Sequence, residues 1–294
     1  MKAQLLDGKK VSSQIIDHAA EVVTAAVKAG GVRPGLAVVL VGANPASQVY
    51  VKNKHIACER AGIHSRSIDL SKDTTQQELE RVVNELNEDK SIHGILVQFP
   101  LPEHLDAAAI TEVILPQKDV DGFHPFNIGR LVLRNPVLNP CTPRGIMRLL
   151  YEYDLDVRGK HAVVVGASNI VGRPMMLELL MAGATVTSCH RFTEDLDSLV
   201  AMGDVVIVAV GKAGFIPGEW LKEGAVVIDV GINRMDDGRL QGDMVFETAS
   251  KRASWITPVP GGVGPMTVAT LMVNTLEAAG YQMWETDHRG RFIK

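Results

Sequence analysis

Tyr50 and Lys54 lie four residues apart in "PASQVYVKNKHIACERAG". On a helix that spacing puts them on one face. A lysine amine turned inward can carry protons, whereas one turned outward is only a solvated charge. Periodicity by itself favours the solvated reading. Val49 and Ile56, seven residues apart, mark the expected buried stripe, with Tyr50 and Lys54 flanking it and Lys52 pointing elsewhere. Gln98 ends the apolar run "HGILVQ" and is followed by Phe99, Pro100 and Pro102. Its amide either caps backbone or faces the cleft, and the prolines stiffen the loop after it. Asp119 and Asp121 fall in "KDVDGFHP", where aspartate before glycine is ordinary turn chemistry and a binding role for Asp121 is the minority reading. A last candidate is the loop "TPVPGGVGPMT", which contains Pro260, Gly261, Gly262, Val263 and Gly264. Such a loop either lets backbone approach a flat ligand closely or is a plain turn before a helix.

The second half carries a different chemistry. In "HAVVVGASNIVGRP" an apolar run leads into Gly166, Ala167 and Ser168, then Gly172 at the head of a helix. The dinucleotide fingerprint is GxGxxG. Here Ser168 stands at the middle glycine and the last glycine is displaced by one residue. The physical logic survives: Gly166 makes the tight turn, Gly172 lets helix and strand approach, and backbone N–H groups face a pyrophosphate at a helix start. Ser168 adds a hydroxyl donor. An ordinary strand-to-helix turn is the alternative. The next strand ends "TVTSCHRFT", with no acid for a ribose 2′-hydroxyl and with Arg191 in its place. A guanidinium suits a 2′-phosphate, which favours NADP over NAD; a surface arginine after a strand is the alternative. His190 reads as packed or solvated. Ile232, after "GAVVIDVG", can pack on a nicotinamide or adenine, and Asp229 within that run reads as a structural hydrogen-bond acceptor.

The elements that must hold these residues alternate. "GLAVVLVG", "HGILVQ", "HAVVVG", "ATVTSC", "DVVIVAVG" and "GAVVIDVG" read as strands, most of them continuously apolar, with helical periodicity between many of them. Helices are expected in "VSSQIIDHAAEVVTAAVKAG", stopping at Gly30-Gly31, in "PASQVYVKNKHIACERAG", in "TTQQELERVVNELNED", near "GIMRLLYEY", in "VGRPMMLELLMAG" and after "TPVPGG". Strand–helix alternation implies parallel βαβ units and an α/β fold. The 294 residues allow one large domain or two ordinary ones. The proline-rich stretch "LPQKDVDGFHPFNIGRLVLRNPVLNPCTPRG" has too many prolines for regular structure and is the expected joint between two. The end, "YQMWETDHRGRFIK", is polar and aperiodic, and is expected to be a disordered end or a tail left by cloning.

Composition excludes several classes. Apolar residues make up 46% and charged residues 22%, and the net charge is -4, so there is no basic footprint for nucleic acid and no polybasic membrane patch. No apolar run approaches a membrane span. The three cysteines, Cys58, Cys141 and Cys189, have no metal spacing, and the nine histidines form no HxxxH pair, so no bound metal is expected. An odd number of scattered thiols fits a reducing cytoplasm.

Taken in order, "YVKNK", "GILVQFPLP", "DVDGFHP", "PCTPRG", "VVVGASNIVGRP", "DVGIN" and "TPVPGGVGPMT" resemble the bifunctional methylenetetrahydrofolate dehydrogenase/methenyltetrahydrofolate cyclohydrolase family. The similarity runs over roughly residues 3 to 280, without a departure at a motif position, and fits the short bacterial form. The resemblance implies two three-layer α/β domains with mostly parallel sheets and a cleft between them. A folate-binding domain would comprise 1–121 plus 267–294, with the last helix returning to it, and a Rossmann-like NADP-binding domain would comprise 122–266. It implies oxidation of 5,10-methylenetetrahydrofolate with NADP+ and hydrolysis of the methenyl product to 10-formyltetrahydrofolate, supplying one-carbon units to purine, methionine and histidine pathways. It makes Lys54 the central catalytic group with Gln98 beside it, Tyr50 a lining of the pterin site, and Asp121 the partner of the amino-pyrimidine edge. It puts Gly166, Ala167, Ser168, Arg191 and Ile232 on NADP, and Pro100 with residues 260–264 on the folate. It also implies a homodimer formed through the nucleotide domains. Two other readings compete: an NADP-dependent dehydrogenase of another small substrate, such as a shikimate-type acid, and a non-catalytic dinucleotide sensor. Neither requires the first-half motifs.

Overall fold

The computed structural model describes residues 2–42, 44–286 and 292; the expectation of a disordered end falls, for 287–291 and 293–294, outside the described residues. In chain order the first half contains β1 (Gln4–Leu5), α1 (Gly8–Lys28), β2 (Gly35–Val41), α2 (Pro45–Ala61), β3 (His64–Leu70), α3 (Gln76–Glu88), β4 (Gly94–Val97), α4 (Ala107–Val113), α5 (Pro125–Val132) and α6 (Cys141–Glu152). The second half contains β5 (His161–Val165), α7 (Gly172–Met181), β6 (Thr185–Cys189), α8 (Leu196–Val200), β7 (Val205–Val208), β8 (Val226–Asp229), β9 (Asn233–Arg234), β10 (Leu240–Gln241), α9 (Phe246–Arg252), β11 (Trp255–Ile256) and α10 (Val263–Ala278).

The chain forms two compact units. One takes in 13–141 and 268–285 and holds a parallel sheet in the order β3-β2-β4. Every residue of β2 and β4 is buried, as strands covered on both faces must be. Ala37, Val39 and Val41 on one face of β2 pack with Leu79, Val83 and Leu86 of α3 and Ile110 of α4. α2 packs against β2 and β3. The start of α3 is fixed by a capping box: the Thr75 hydroxyl accepts from the Glu78 N–H, and the Glu78 carboxylate accepts from the Thr75 N–H. The other unit takes in the described residues of 1–12, 142–267 and 286–293. Its six-stranded sheet, in the order β1-β11-β8-β7-β5-β6, is parallel throughout. β5 sits between β6 and β7 near one side of it, so the turns after β5 and β6 leave the sheet side by side. Val163, Val165, Val206, Val208 and Val227 form one apolar surface with residues of α8 and α9. A two-stranded antiparallel ladder, β9 and β10, stands apart from both sheets.

Several expectations need correcting. The joint is not irregular. α5 has Pro125 at its first position, with the His124 ring accepting from the Phe126 N–H, and α6 follows at Cys141. Proline at a helix start is favourable, because the N–H it lacks would have no partner there. The joint also groups with the three-stranded unit, since Asn127 donates to Pro116 O and Asp119. Residues 1–12 group with the six-stranded unit, because β1 pairs with β11. β3 was not expected: "HSRSIDL" lies at a sheet edge, where only one side needs apolar residues. β1 and β11 have two residues each, too short to leave a pattern. The stretch 281–284 is packed, with Met283 and Trp284 buried and the Tyr281 hydroxyl donating to Val32 O. Among the described residues no helix is long and apolar enough to cross a membrane.

Candidate active site

In the three-stranded unit α2 begins just beyond the C-terminal end of β2. The expected stripe through Ile56 is wrong: Ile56 is 53% exposed. The face turned inward carries Val51, Lys54, Cys58 and Ala61, at three- and four-residue spacing. Lys54 therefore lies on the buried stripe rather than beside it, and is only 9% exposed. Tyr50, one turn earlier, is 40% exposed, and the Val49 side chain lies outside what is described.

Burying an amine costs free energy unless it is hydrogen-bonded. Lys54 Nζ donates to Gln98 Oε1 at 2.9 Å. Gln98 follows directly on β4, and its other amide atom, Nε2, donates to Phe99 O at 2.7 Å. The backbone bond engages the NH2 end, and that turns the carbonyl end toward the lysine. A neutral partner satisfies the amine without pairing it to a fixed charge. Phe99–Pro100 is a cis peptide. Cys58, one turn after Lys54, is an inert neighbour: burial pushes its thiol up to about 11, against the pull of a Ser65 hydrogen bond and the Lys54 charge.

Asp121 stands in a turn pinned from two sides. Asp119, buried, accepts from the Gly122 and His124 N–H groups and from Asn127 Nδ2. From α10, Asn274 Nδ2 donates to Val120 O at 2.8 Å and to Asn139 O at 2.9 Å. Burial pushes the Asp121 carboxyl up to about 6; the Lys54 charge pulls it down and Asp119 pushes it further up. Asp119 is raised as well, chiefly by burial. Asn127 and Asn274 escaped the sequence reading. The signal for Asn274 was present, since it is a lone amide in the apolar run "VATLMVNTLEAAG".

The six-stranded unit holds the other candidates. Gly166 has φ +123°, and an added Cβ would meet Ala209 O at 2.2 Å; at Gly172 it would meet Gly166 O at 1.9 Å. Both positions therefore require glycine, and the turn between them is a cradle that a side chain would fill. Ser168 Oγ accepts from the Val171 N–H at 3.2 Å, which leaves its own hydroxyl proton to give. β5 and β6 pair with Val165 opposite Cys189, so Arg191 and Ser168 leave adjacent strand ends. Arg191 is exposed, with its guanidinium 4.5 Å from the Phe192 ring centroid. His190 is used locally: its ring accepts from the Phe192 N–H. Glycines without side chains, a free hydroxyl and an arginine where an acid would select NAD fit a phosphorylated dinucleotide. Ile232 is 41% exposed and lies beside Gly264, where an added Cβ would stand 3.3 Å from Ile232 Cδ1. The loop after β11 includes the cis Val259–Pro260 peptide and ends at Gly262; Val263 and Gly264, expected in the loop, are the first residues of α10. Asp229 is the structural acceptor expected of it, taking the N–H groups of Gly231, Asp243 and Met244.

A buried lysine on a neutral amide in one unit, and a glycine turn with an arginine in the other, define a two-domain dinucleotide-dependent enzyme. The family models agree. Residues 6–121 match the tetrahydrofolate dehydrogenase/cyclohydrolase catalytic domain, and residues 140–283 match the NAD(P)-binding domain of the same family. A crystal structure of the bifunctional FolD methylenetetrahydrofolate dehydrogenase/cyclohydrolase from Campylobacter jejuni is 50% identical, with 95% of this chain and 99% of that one covered, at a TM-score of 0.93. The Trypanosoma brucei methylenetetrahydrofolate dehydrogenase-cyclohydrolase, complexed with NADP and an inhibitor, is 40% identical over 95% and 98% of the chains, at 0.91. The silkworm (Bombyx mori) methylenetetrahydrofolate dehydrogenase is 39% identical over 95% and 98%, at 0.90. The chain belongs to the tetrahydrofolate dehydrogenase/cyclohydrolase family. Its activities are those of a methylenetetrahydrofolate dehydrogenase and a methenyltetrahydrofolate cyclohydrolase, and the dehydrogenase of another small substrate is not favoured.

The raised Asp121 carboxyl gives a test with a definite sign. A carboxyl whose folded value lies above its unfolded value, here 3.8, adds stability below that value and loses it as pH rises through about 6. Asp121→Asn is therefore expected to stabilise the fold at pH 7.5, on the order of 1 kcal/mol, and to gain nothing at pH 4. Urea unfolding at the two pH values measures this. Equal stability at pH 7.5 would mean that Asp121 is solvated.

Proposed function

We propose that Lys54, Gln98, Tyr50 and Asp121 are the working residues of both activities, with NADP as the redox cofactor. The observation that carries the reading is the Lys54–Gln98 hydrogen bond at 2.9 Å, on a lysine that is 9% exposed. The nicotinamide of bound NADP+ supplies the acceptor for a hydride leaving the methylene carbon of 5,10-methylenetetrahydrofolate. The chain's part in that step is alignment. Tyr50 lines the pterin site, and the Asp121 carboxylate accepts hydrogen bonds from the amino-pyrimidine edge. Pro100 and residues 260–264 contact the folate.

The hydrolytic step asks more of the protein. Water adds to the methenyl carbon, one carbon–nitrogen bond breaks, 10-formyltetrahydrofolate forms, and one proton is released. Lys54 takes the proton of the attacking water and returns a proton to the departing nitrogen. Gln98 holds the Lys54 amine without adding a charge.

Gly166, Ala167 and Ser168 hold the pyrophosphate, Ile232 packs on the cofactor, and Arg191 takes the 2′-phosphate in its planar fork. The protein works as a homodimer through the six-stranded units. What supports this is the outer edge of β6, five residues without a charge or a proline, the kind of edge natural proteins usually cover. Three free, buried cysteines fit a cytoplasmic setting.

Lys54→Met is expected to lower cyclohydrolase turnover by about 10²-fold or more and hydride transfer far less. Steady-state assays of the two steps check this, and normal cyclohydrolase turnover would refute the assignment. Arg191→Ala is expected to weaken NADP+ binding by about tenfold and to leave NAD+ nearly unchanged, since a charge-assisted hydrogen bond contributes about 1.5–3 kcal/mol. Titration with each cofactor decides, and equal losses would remove the 2′-phosphate role. Light scattering is expected to give twice the 31.8 kDa chain mass; a monomer mass would remove the dimer.

A further inference from the structure

Two loops at the C-terminal end of the six-stranded sheet are tied to one buried carboxylate that no motif announces. Asp243 follows β10 and is 0% exposed. Its Oδ2 accepts the N–H groups of Val210 at 2.7 Å and Gly211 at 2.8 Å. Its Oδ1 accepts the Lys212 N–H at 2.9 Å and Asn233 Nδ2 at 2.8 Å. Three successive N–H groups of the loop after β7 thus converge on one carboxylate, in the manner of a backbone nest closing on an anion. The fourth donor comes from the strand end just past Ile232. Asp243 therefore joins the loop after β7 to the loop after β8, and strand-end loops of this kind line the ligand crevice of a doubly wound sheet.

The arrangement is over-determined. Asp229, at the end of β8, accepts the N–H groups of Asp243 and Met244 and so fixes the backbone from which Asp243 reaches out. An added Cβ at Gly231 would meet Asp243 Oδ1 at 2.2 Å, and one at Gly242 would meet Asp229 Oδ2 at 1.9 Å. Backbone closes around both carboxylates, leaving no room for a second arrangement. What four convergent donors secure is one loop shape.

We propose that Asp243 is a positioning residue for the dinucleotide: it sets the distance between the loops after β7 and β8, and through them the placement of the cofactor. This rests on the cofactor assignment made above. Replacing Asp243 with asparagine keeps the shape and takes away one acceptor. An amide NH2 then faces N–H donors, and the loops part.

The test uses the full-length enzyme and NADP+ itself. Calorimetric titration of Asp243→Asn is expected to show a dissociation constant raised tenfold or more. Hydrolysis of methenyltetrahydrofolate, measured without cofactor, is expected to stay within about twofold, which a general loss of structure would not allow. Binding of NADP+ as tight as in the unaltered enzyme would overturn the proposal, as would a parallel fall in both readouts. Should Asp243→Asn not fold, Asn233→Ala decides, since it removes one donor and keeps the carboxylate. About threefold weaker binding supports the proposal, and unchanged binding overturns it. If the unaltered enzyme itself failed to bind NADP+, the cofactor assignment would fall instead.

Discussion

A lysine on the buried stripe of a helix is the constraint around which the three-stranded unit is arranged. An amine in that position must be given an acceptor, and the choice of acceptor decides what it can do. A carboxylate would hold it as a cation and make an ordinary buried ion pair, costly to form and slow to change state. The acceptor here is the carbonyl end of Gln98, and its orientation is not left to chance. The NH2 end of the same side chain is engaged by Phe99 O, so the amide presents oxygen to Lys54. The strand end, the rigid loop after it and the helix that follows β2 act together as a device for holding one nitrogen. Asp121, its carboxyl raised by burial, lies within reach of the Lys54 charge.

The six-stranded unit solves a different problem. Among its described residues no lysine is buried; it has loops to shape. Their backbone N–H groups point toward two buried carboxylates, Asp229 and Asp243. At the glycine turn the constraint is steric, since strand and helix start come so close that no Cβ fits at Gly166 or Gly172. In one unit, then, polar groups are buried in contact with one another, side chain to side chain. In the other they are buried so that backbone holds still.

Much of this was legible in the sequence, for reasons that can be stated residue by residue. β2, β4, β5, β7 and β8 are short apolar runs because both faces of their sheets are covered, and Gly166 and Gly172 are visible because steric demand leaves no alternative residue. The orientation of α2 was not legible. A stripe drawn through Val49 and Ile56 looks reasonable on hydrophobicity, yet the buried face runs through Val51, Lys54 and Cys58, and only the bond to Gln98 makes a lysine acceptable there. β3 was hidden because an edge strand needs apolar residues on one side only. α5 was hidden because its first residue is a proline, which reads as a break as easily as a start. Asp243 left no trace, since an aspartate after glycine looks like any turn.

Asn274 ties α10 to the turn that carries Asp121, across 154 residues of chain. That separation has a meaning for the order of synthesis. Residues 13–141 are made first, but the amide that fixes Val120 and Asn139 is made only after the whole six-stranded sheet has been translated. At ordinary translation speeds of about 5–20 residues per second, the interval is roughly 8–30 s. During it the three-stranded unit stands without its last helix, while the strands from β5 to β11 meet their sheet neighbours as these are made, β1 being already present. The part of the chain that is translated first is thus the last to be completed, and a ribosome that stopped short of α10 would release a molecule with a finished six-stranded sheet and an unfinished three-stranded unit.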